Sequence, residues 1–299
     1  MGLKPVARDQ LNTTVQEVGM PSRLVSIWQN RRVIGLLVRR DLKVKYQSSV
    51  LGYAWSMLEP MAMAAVYFFV FGMVLNADRG MPEEASDSGG FLLFLVAGIL
   101  AWQSFGASLS EAPKAMIQHA KLITTMKVPR EIFPIATVTA KFVEYLLTLP
   151  VLVGFALLLG GDWKLQGWLL WLPAAIVTQY VFTLGMTLFF APVNVLIRDV
   201  ERMVRILSRV LFYGSAILYP ASLVLGGDHL NVPEWATVVY QLNPLLGIFE
   251  MHRAVWFSDF PELLPTTLAL SSAFGGALLM LIIGYWTFRR LEMSVLKEL

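Results

Sequence analysis

Six long apolar runs dominate this chain, at about 54–76, 91–110, 134–159, 168–193, 204–224 and 266–288. Each reaches the roughly 20 residues that a helix needs to cross the hydrocarbon core of a bilayer. The runs lack the alternation of barrel strands, and helices satisfy their own backbone polar groups in lipid. The sequence therefore predicts an all-α integral membrane protein with six transmembrane helices. The fifth run is the least regular, because Arg205 and Arg209 fall in its first turns. A soluble alternative fails on composition. Of 299 residues, 56% are hydrophobic and only 15% charged, so a water-soluble fold would expose too much apolar surface.

Lysine and arginine set the expected orientation. With the N-terminus inside, the inner segments hold 20 of the 24, nine of them in residues 1–53. The outer loops hold three, Arg79, Lys164 and Arg253, and Lys141 lies within a span. The outer loops are acidic instead, with Glu83, Glu84 and Asp87 in the first and Asp228, Glu234, Glu250, Asp259 and Glu262 in the last. Both termini are expected on the cytoplasmic side. The first 53 residues are polar and basic, without the apolar core of a cleavable signal peptide. Residues 1–21 are expected to be a disordered tail, 22–45 an amphipathic interface helix, and 46–299 one six-span domain.

Three segments outside the spans carry pattern. In residues 22–42, Leu24, Ile27, Trp28, Ile34, Val38 and Leu42 recur at helical spacing, with Arg32, Arg39, Arg40 and Lys43 on the other side. This fits a helix lying in the membrane interface, either as a plain anchor or as a docking element. Its basic end runs directly into the first span through RDLKVKYQSSVLGYAW, Arg40 to Trp55. In the second segment, Glu111 to Pro134, one helical face holds Glu111, Lys114, Gln118, Lys121 and Thr125. The opposite face holds Ala112, Met116, Ala120 and Ile123. A short amphipathic helix is expected there, either a solvated connector or a contact for another protein. The third segment, 225–265, is too apolar for a free loop. Asn243-Pro244 divides it into two short helical pieces, the second too short to cross. These read either as half-inserted, re-entrant helices or as surface helices packed on the spans.

Charge inside the spans is sparse. Lys141 and Glu144 are three apart and able to pair on one helix face, and Glu59 stands directly before Pro60. That scarcity argues against a proton-coupled carrier. Aromatic residues crowd the first two spans, among them Tyr53, Trp55, Tyr67, Phe71, Trp102 and Phe105. Such residues serve as belt or packing groups, or as faces on which sugar rings slide. The chain has no cysteine, so disulfides, thiolate metal sites and cysteine nucleophiles are excluded. Its three histidines, His119, His229 and His252, lack ligand spacing. No metal site or catalytic constellation is expected. The phosphate-cradling G-x-x-x-x-G-K-[ST] pattern is also absent, so ATP energy would have to come from another polypeptide.

Five stretches in order carry a family resemblance: RDLKVKYQSSVLGYAWSMLEP, GILAWQSFGASLSEAPKAMIQHAKLITTMKVPREIFP, NVLIRDVERMVRILSRVLFYGSAILYP, NPLLGIFEMHRAVWF and FRRLE. From about Arg39 to the C-terminus the chain resembles ABC-2 type permease subunits that export cell-surface polysaccharides such as O-antigen, teichoic acid and actinobacterial galactan. The resemblance implies a bacterial inner or plasma membrane location. It implies a homodimer with two copies of a separate nucleotide-binding ATPase. ATP and Mg would sit on that partner, with no cofactor on this chain and no role for nucleic acid. The cargo would be polymer linked to a polyprenyl diphosphate, drawn out between the two subunits.

Several site assignments follow from the resemblance. A coupling helix would fall at Ala112–Lys127, with Lys114, Gln118, Lys121, Thr125 and Lys127 facing the ATPase. Arg39, Arg40, Lys43 and Lys45 would be candidates for the lipid diphosphate. The aromatics named above would be candidates for the glycan channel. Trp235, Tyr240, Phe249 and Trp256, in outer helices at 232–257, would be candidates for an outer gate. Alternatives left open are an ABC-2 permease for small drugs or lipids, an integral-membrane enzyme acting on lipid-linked glycans, and a secondary transporter.

Overall fold

The computed structural model describes residues 20–47, 49–75, 81–86, 89–126, 128–158, 165–225 and 232–299. The regular structure among the described residues is helical, with no strand. At the N-terminus lie α1 (Met20–Gln29) and α2 (Arg31–Tyr46). The expected single helix over 22–45 is split at Asn30, whose φ of −90° and ψ of 14° leave helical geometry. The Asn30 side-chain amide donates to the Ser26 carbonyl at 2.8 Å and holds the bend. Residues 1–19 of the expected tail lie outside the described residues, and Met20 already belongs to α1. Leu37, Val38 and Leu42 bury the inner face of α2 as its apolar spacing requires, while Trp28 on α1 stays 69% exposed.

Five helical segments are long and apolar enough to cross a membrane: Trp55–Val74, Gly90–Lys114, Ile132–Leu157, Leu170–Leu196 and Pro261–Glu298. They correspond to the first, second, third, fourth and sixth apolar runs. The first comprises α3 (Trp55–Tyr67) and a π-helical turn over Phe68–Val74. A short α4 (Glu83–Ser86) precedes the second, α5 (Gly90–Glu111). The short α6 (Ala120–Thr125) follows α5. The third and fourth are α7 (Ile132–Leu158) and α8 (Leu165–Leu196).

The fifth run behaves differently. Helix α9 (Val200–Gly214) has 15 residues, about 22 Å at 1.5 Å per residue and short of the roughly 30 Å core. The chain leaves the helix at Ser215 and passes Ala216 at φ +52° before the single turn α10 (Ser222–Leu225). The freed carbonyls of Ala216 and Ile217 are buried, and the Arg253 guanidinium donates to both at 2.6 Å. Irregular backbone in an apolar setting needs such internal partners.

The third segment forms two pieces, as Asn243-Pro244 predicts: α11 (Glu234–Gln241) and α12 (Pro244–Ala254). Asn243 caps α12 by accepting from the Leu245 amide, and its own amide reaches back to Gly214 and Ser215. Helix α12 is buried along its length after Pro244. Its His252 bridges Gln179 at 2.6 Å and Tyr145 at 2.9 Å, joining α8 and α7.

The chain ends in α13 (Thr267–Glu298), which packs closely along α8. Gly185 and Gly284 allow this contact, because a Cβ on Gly284 would run into the Gly185 carbonyl. Small residues permit such backbone approach where lipid offers no hydrophobic drive between helices. Two main clusters result. One centres on α5, α8 and α12. The other gathers α2, the 115–133 stretch, and the end of α13 at Phe288 and Val295. The N-terminal helix and the C-terminal turns therefore share one end of the molecule.

Candidate functional site

A cleft of about 440 Å³ opens between the end of α2 and helices α3, α5, α7 and α9. Its lining holds both charged and aromatic side chains. The charged part holds Lys45 from α2, Glu59 from α3, and Lys141 and Glu144 from α7. The aromatic part holds Tyr46 from α2, Trp55 and Tyr67 from α3, Trp102 from α5, Tyr145 from α7 and Phe212 from α9. Ser104, also in the wall, is 6% exposed, and its Oγ has no hydrogen-bond partner among the described residues.

The charges form a chain. Lys45 donates to Glu144 Oε2 at 2.6 Å, and Lys141 lies 4.0 Å from Glu144 Oε1. Lys141 also reaches Glu111 Oε1 at 2.9 Å. The Lys141 and Glu144 side chains are only 9% and 11% exposed. Burial works against the Lys45 charge, but the hydrogen bond and charge of Glu144, helped by Tyr46, outweigh it and hold its pKa above the usual lysine value. The i,i+3 pair seen in the sequence is thus part of a larger group. Its other members come from α2 and the end of α5, which local spacing does not connect.

The four basic diphosphate candidates divide. Lys45 alone lines the cleft. Arg40 turns to the 112–126 segment, where its Nη2 donates to His119 Nε2 at 2.6 Å and to Asp41 at 2.7 Å. Arg39 and Lys43 are exposed on α2, outside the cleft lining. His119 was not a candidate, yet it ties α2 to this segment. Its Nδ1 meets the Ala115 carbonyl at 2.8 Å, which leaves Nε2 as the acceptor for Arg40. Burial pushes the His119 pKa down. The Arg40 charge adds to this, against the opposite pull of the Ala115 bond.

The coupling segment is not one helix. It comprises 3-10 turns at Ala112–Lys114 and Ile117–His119 and then α6. Pro113, which cannot donate a backbone hydrogen bond, sits in the first turn. The two-faced pattern survives the break. Ala112, Met116 and Ile123 are buried, while Gln118, Lys121 and Thr125 are exposed side by side in sequence register. Lys114 instead pairs with Glu201 on α9 at 3.1 Å. Lys127 lies outside the described residues.

Of the aromatic channel candidates, Trp55, Tyr67 and Trp102 line the cleft. Phe71 packs behind Tyr67 at 6.2 Å between ring centres. Phe105 is fully buried between Trp102 and Phe182 and presents no face to the cleft. The Tyr53 side chain lies outside the described residues. Phe212, not among the candidates, stands edge-on to Trp102 at 5.2 Å. The outer-gate candidates also separate. Trp235 is 71% exposed on α11, whereas Phe249 is wholly buried against Trp102 at 6.0 Å. Tyr240 and Trp256 are half-buried against the smaller and the larger cluster. Phe249 therefore acts as core, because α12 turns inward rather than lying across a surface.

Known proteins place the chain. The family model for the ABC-2 type transporter matches residues 32–257. An O-antigen export system permease protein, RfbA, of Klebsiella pneumoniae is 30% identical over 223 residues, 75% of this chain and 79% of its own length. The protein of the same name from Myxococcus xanthus is 27% identical over 79% of this chain and 84% of its own. The polysialic acid transport protein KpsM of Escherichia coli is 23% identical over 87% and 93%. The matched region covers α2 through α12, and with it every wall of the cleft. The chain belongs to the ABC-2 type transporter family, as a multi-pass membrane permease subunit that catalyses no reaction itself and works with a separate nucleotide-binding ATPase.

Proposed function

We propose that this permease exports a cell-surface polysaccharide linked to a polyprenyl diphosphate, as a homodimer with two copies of its ATPase. Both termini lie on the cytoplasmic side of a bacterial inner or plasma membrane, and the chain makes six passes. The observation that carries the reading is the cleft, in a chain whose relatives include O-antigen permeases. Its basic groups suit a phosphate headgroup, and its aromatic faces suit sugar rings. The shared end of α2 and α13 supports an even number of passes, with α9 and its unwound continuation as the fifth.

The ATPase docks on the exposed row Gln118, Lys121 and Thr125. Two contacts lead inward from that segment: Lys114 to Glu201 on α9, and His119 to Arg40 on α2. Both receiving helices border the cleft. Depletion in the native bacterium tests the reading. Lipid-linked polymer should accumulate on the cytoplasmic side, and an unchanged polymer distribution would refute the substrate assignment.

A further inference from the structure

We propose that Lys45 and Lys141 form an anion subsite for a diphosphate headgroup, with Glu144 as a resident counter-ion that the incoming anion displaces. The proposal rests on the export reading above and names the chemistry of its cargo-binding site.

One carboxylate serves two ammonium groups. Glu144 presents Oε2 to Lys45 at 2.6 Å and Oε1 to Lys141 at 4.0 Å. Two oxygens of a phosphate can take the places of these two, with more charge to offer each lysine. Glu144 and Glu111 together explain how Lys141 sits buried in an apolar helix, since an unpaired ammonium there would be costly. Glu111 is the closer partner, at 2.9 Å against 4.0 Å, and does not line the cleft. Of the two carboxylates paired with these lysines only Glu144 lines the cleft, so an arriving anion competes with it for them, while Glu59 adds a second negative charge to the lining. When the anion leaves, Glu144 closes again on the same lysines, so the site favours release as well as capture. The unpartnered Ser104 hydroxyl in the same wall offers a further donor.

A purely structural ion pair makes the opposite prediction for one variant. Losing either partner of such a pair harms the site, whereas losing a competing counter-ion improves it. The test is binding of farnesyl diphosphate to the purified permease–ATPase complex in nanodiscs. Lys141→Gln should weaken binding about tenfold or more. Glu144→Gln should tighten it by a similar factor, and Lys141→Arg should retain it. The double variant Lys141→Gln with Glu144→Gln still frees Lys45 from Glu144 and should bind more tightly than Lys141→Gln alone but more weakly than Glu144→Gln. Glu144→Gln binding that weakens or stays unchanged overturns the proposal.

Inorganic diphosphate is the second probe. Binding as tight as that of farnesyl diphosphate, with the same dependence on both residues, assigns the subsite to a free anion. Markedly weaker binding assigns it to a lipid carrier. The two readings fail separately. Polymer accumulation on depletion without tightening by Glu144→Gln removes the subsite and leaves the export reading. Tightening without accumulation does the reverse.

Discussion

Arg253→Met should destabilise this protein more than almost any other single change. The guanidinium is 2% exposed, donates at 2.6 Å to the carbonyls of Ala216 and Ile217, and lies 3.7 Å from the centre of the Phe94 ring. Hydrogen bonds from a charged group contribute about 1.5–3 kcal/mol each, and two buried carbonyls would be left without partners. Methionine refills part of the volume, so the net cost is about 3–6 kcal/mol, counting the two bonds alone. That loss lowers the melting temperature by on the order of 10 °C for a chain of this size. Nine tryptophans, Trp102 among them packed against the core, make intrinsic fluorescence during a thermal ramp in detergent a direct assay. Lys in place of Arg253 keeps the charge but not the fork that serves two carbonyls, so it should fall between. A melting temperature within about 2 °C of the parent would refute the view that Arg253 holds the unwound end of α9.

Three other outcomes are expected. Lys121→Glu should weaken co-purification of the ATPase on the order of fivefold while the permease stays folded, and unchanged association would remove that docking row. Gly284→Ala places a methyl against the Gly185 carbonyl and should cost about 1–3 kcal/mol in the same thermal assay; an unchanged melt would mean that α8 and α13 can part freely. The depressed His119 pKa means that folding favours its neutral form. Its contribution to stability is therefore complete above the ordinary imidazole value of 6.5 and is lost as pH falls below it. A pH series should show that loss in the parent and not in His119→Gln, and parallel profiles would refute the burial of a neutral His119 beside Arg40.

The parts of this molecule that were legible in its sequence are those where lipid or neighbouring core acts on one helix at a time. Five apolar runs became long apolar helices because length and composition suffice for that. The two-faced pattern of 112–125 predicted the burial of Ala112, Met116 and Ile123 even though the helix itself is broken, but Ala120 is only half-buried and the burial of Ala115 and His119 was missed. Burial follows spacing, whereas continuity depends on Pro113 and on the non-helical backbone at His119. The charge group at the cleft was only half visible. Lys141 and Glu144 share a helix face, but Lys45 lies 99 positions from Glu144, and nothing local connects the two.

The fifth run shows why reading stops where it does. LFYGSAILYPASL reads as a continuous apolar span, and Gly214 and Pro220 are weak punctuation in a membrane helix. What ends α9 at Gly214 is the arrival of two polar groups from the far side of the loop. Asn243 donates to the Gly214 carbonyl at 3.1 Å, and Arg253 takes the next two freed carbonyls. In the sequence Arg253 counts only as an outer-loop cation. In the fold it lies among the most buried large side chains, and its charge is spent on backbone. The break in α9 and the burial of α12 are therefore one event. Neither is stable without the other, because unwound carbonyls need a donor and a buried guanidinium needs acceptors.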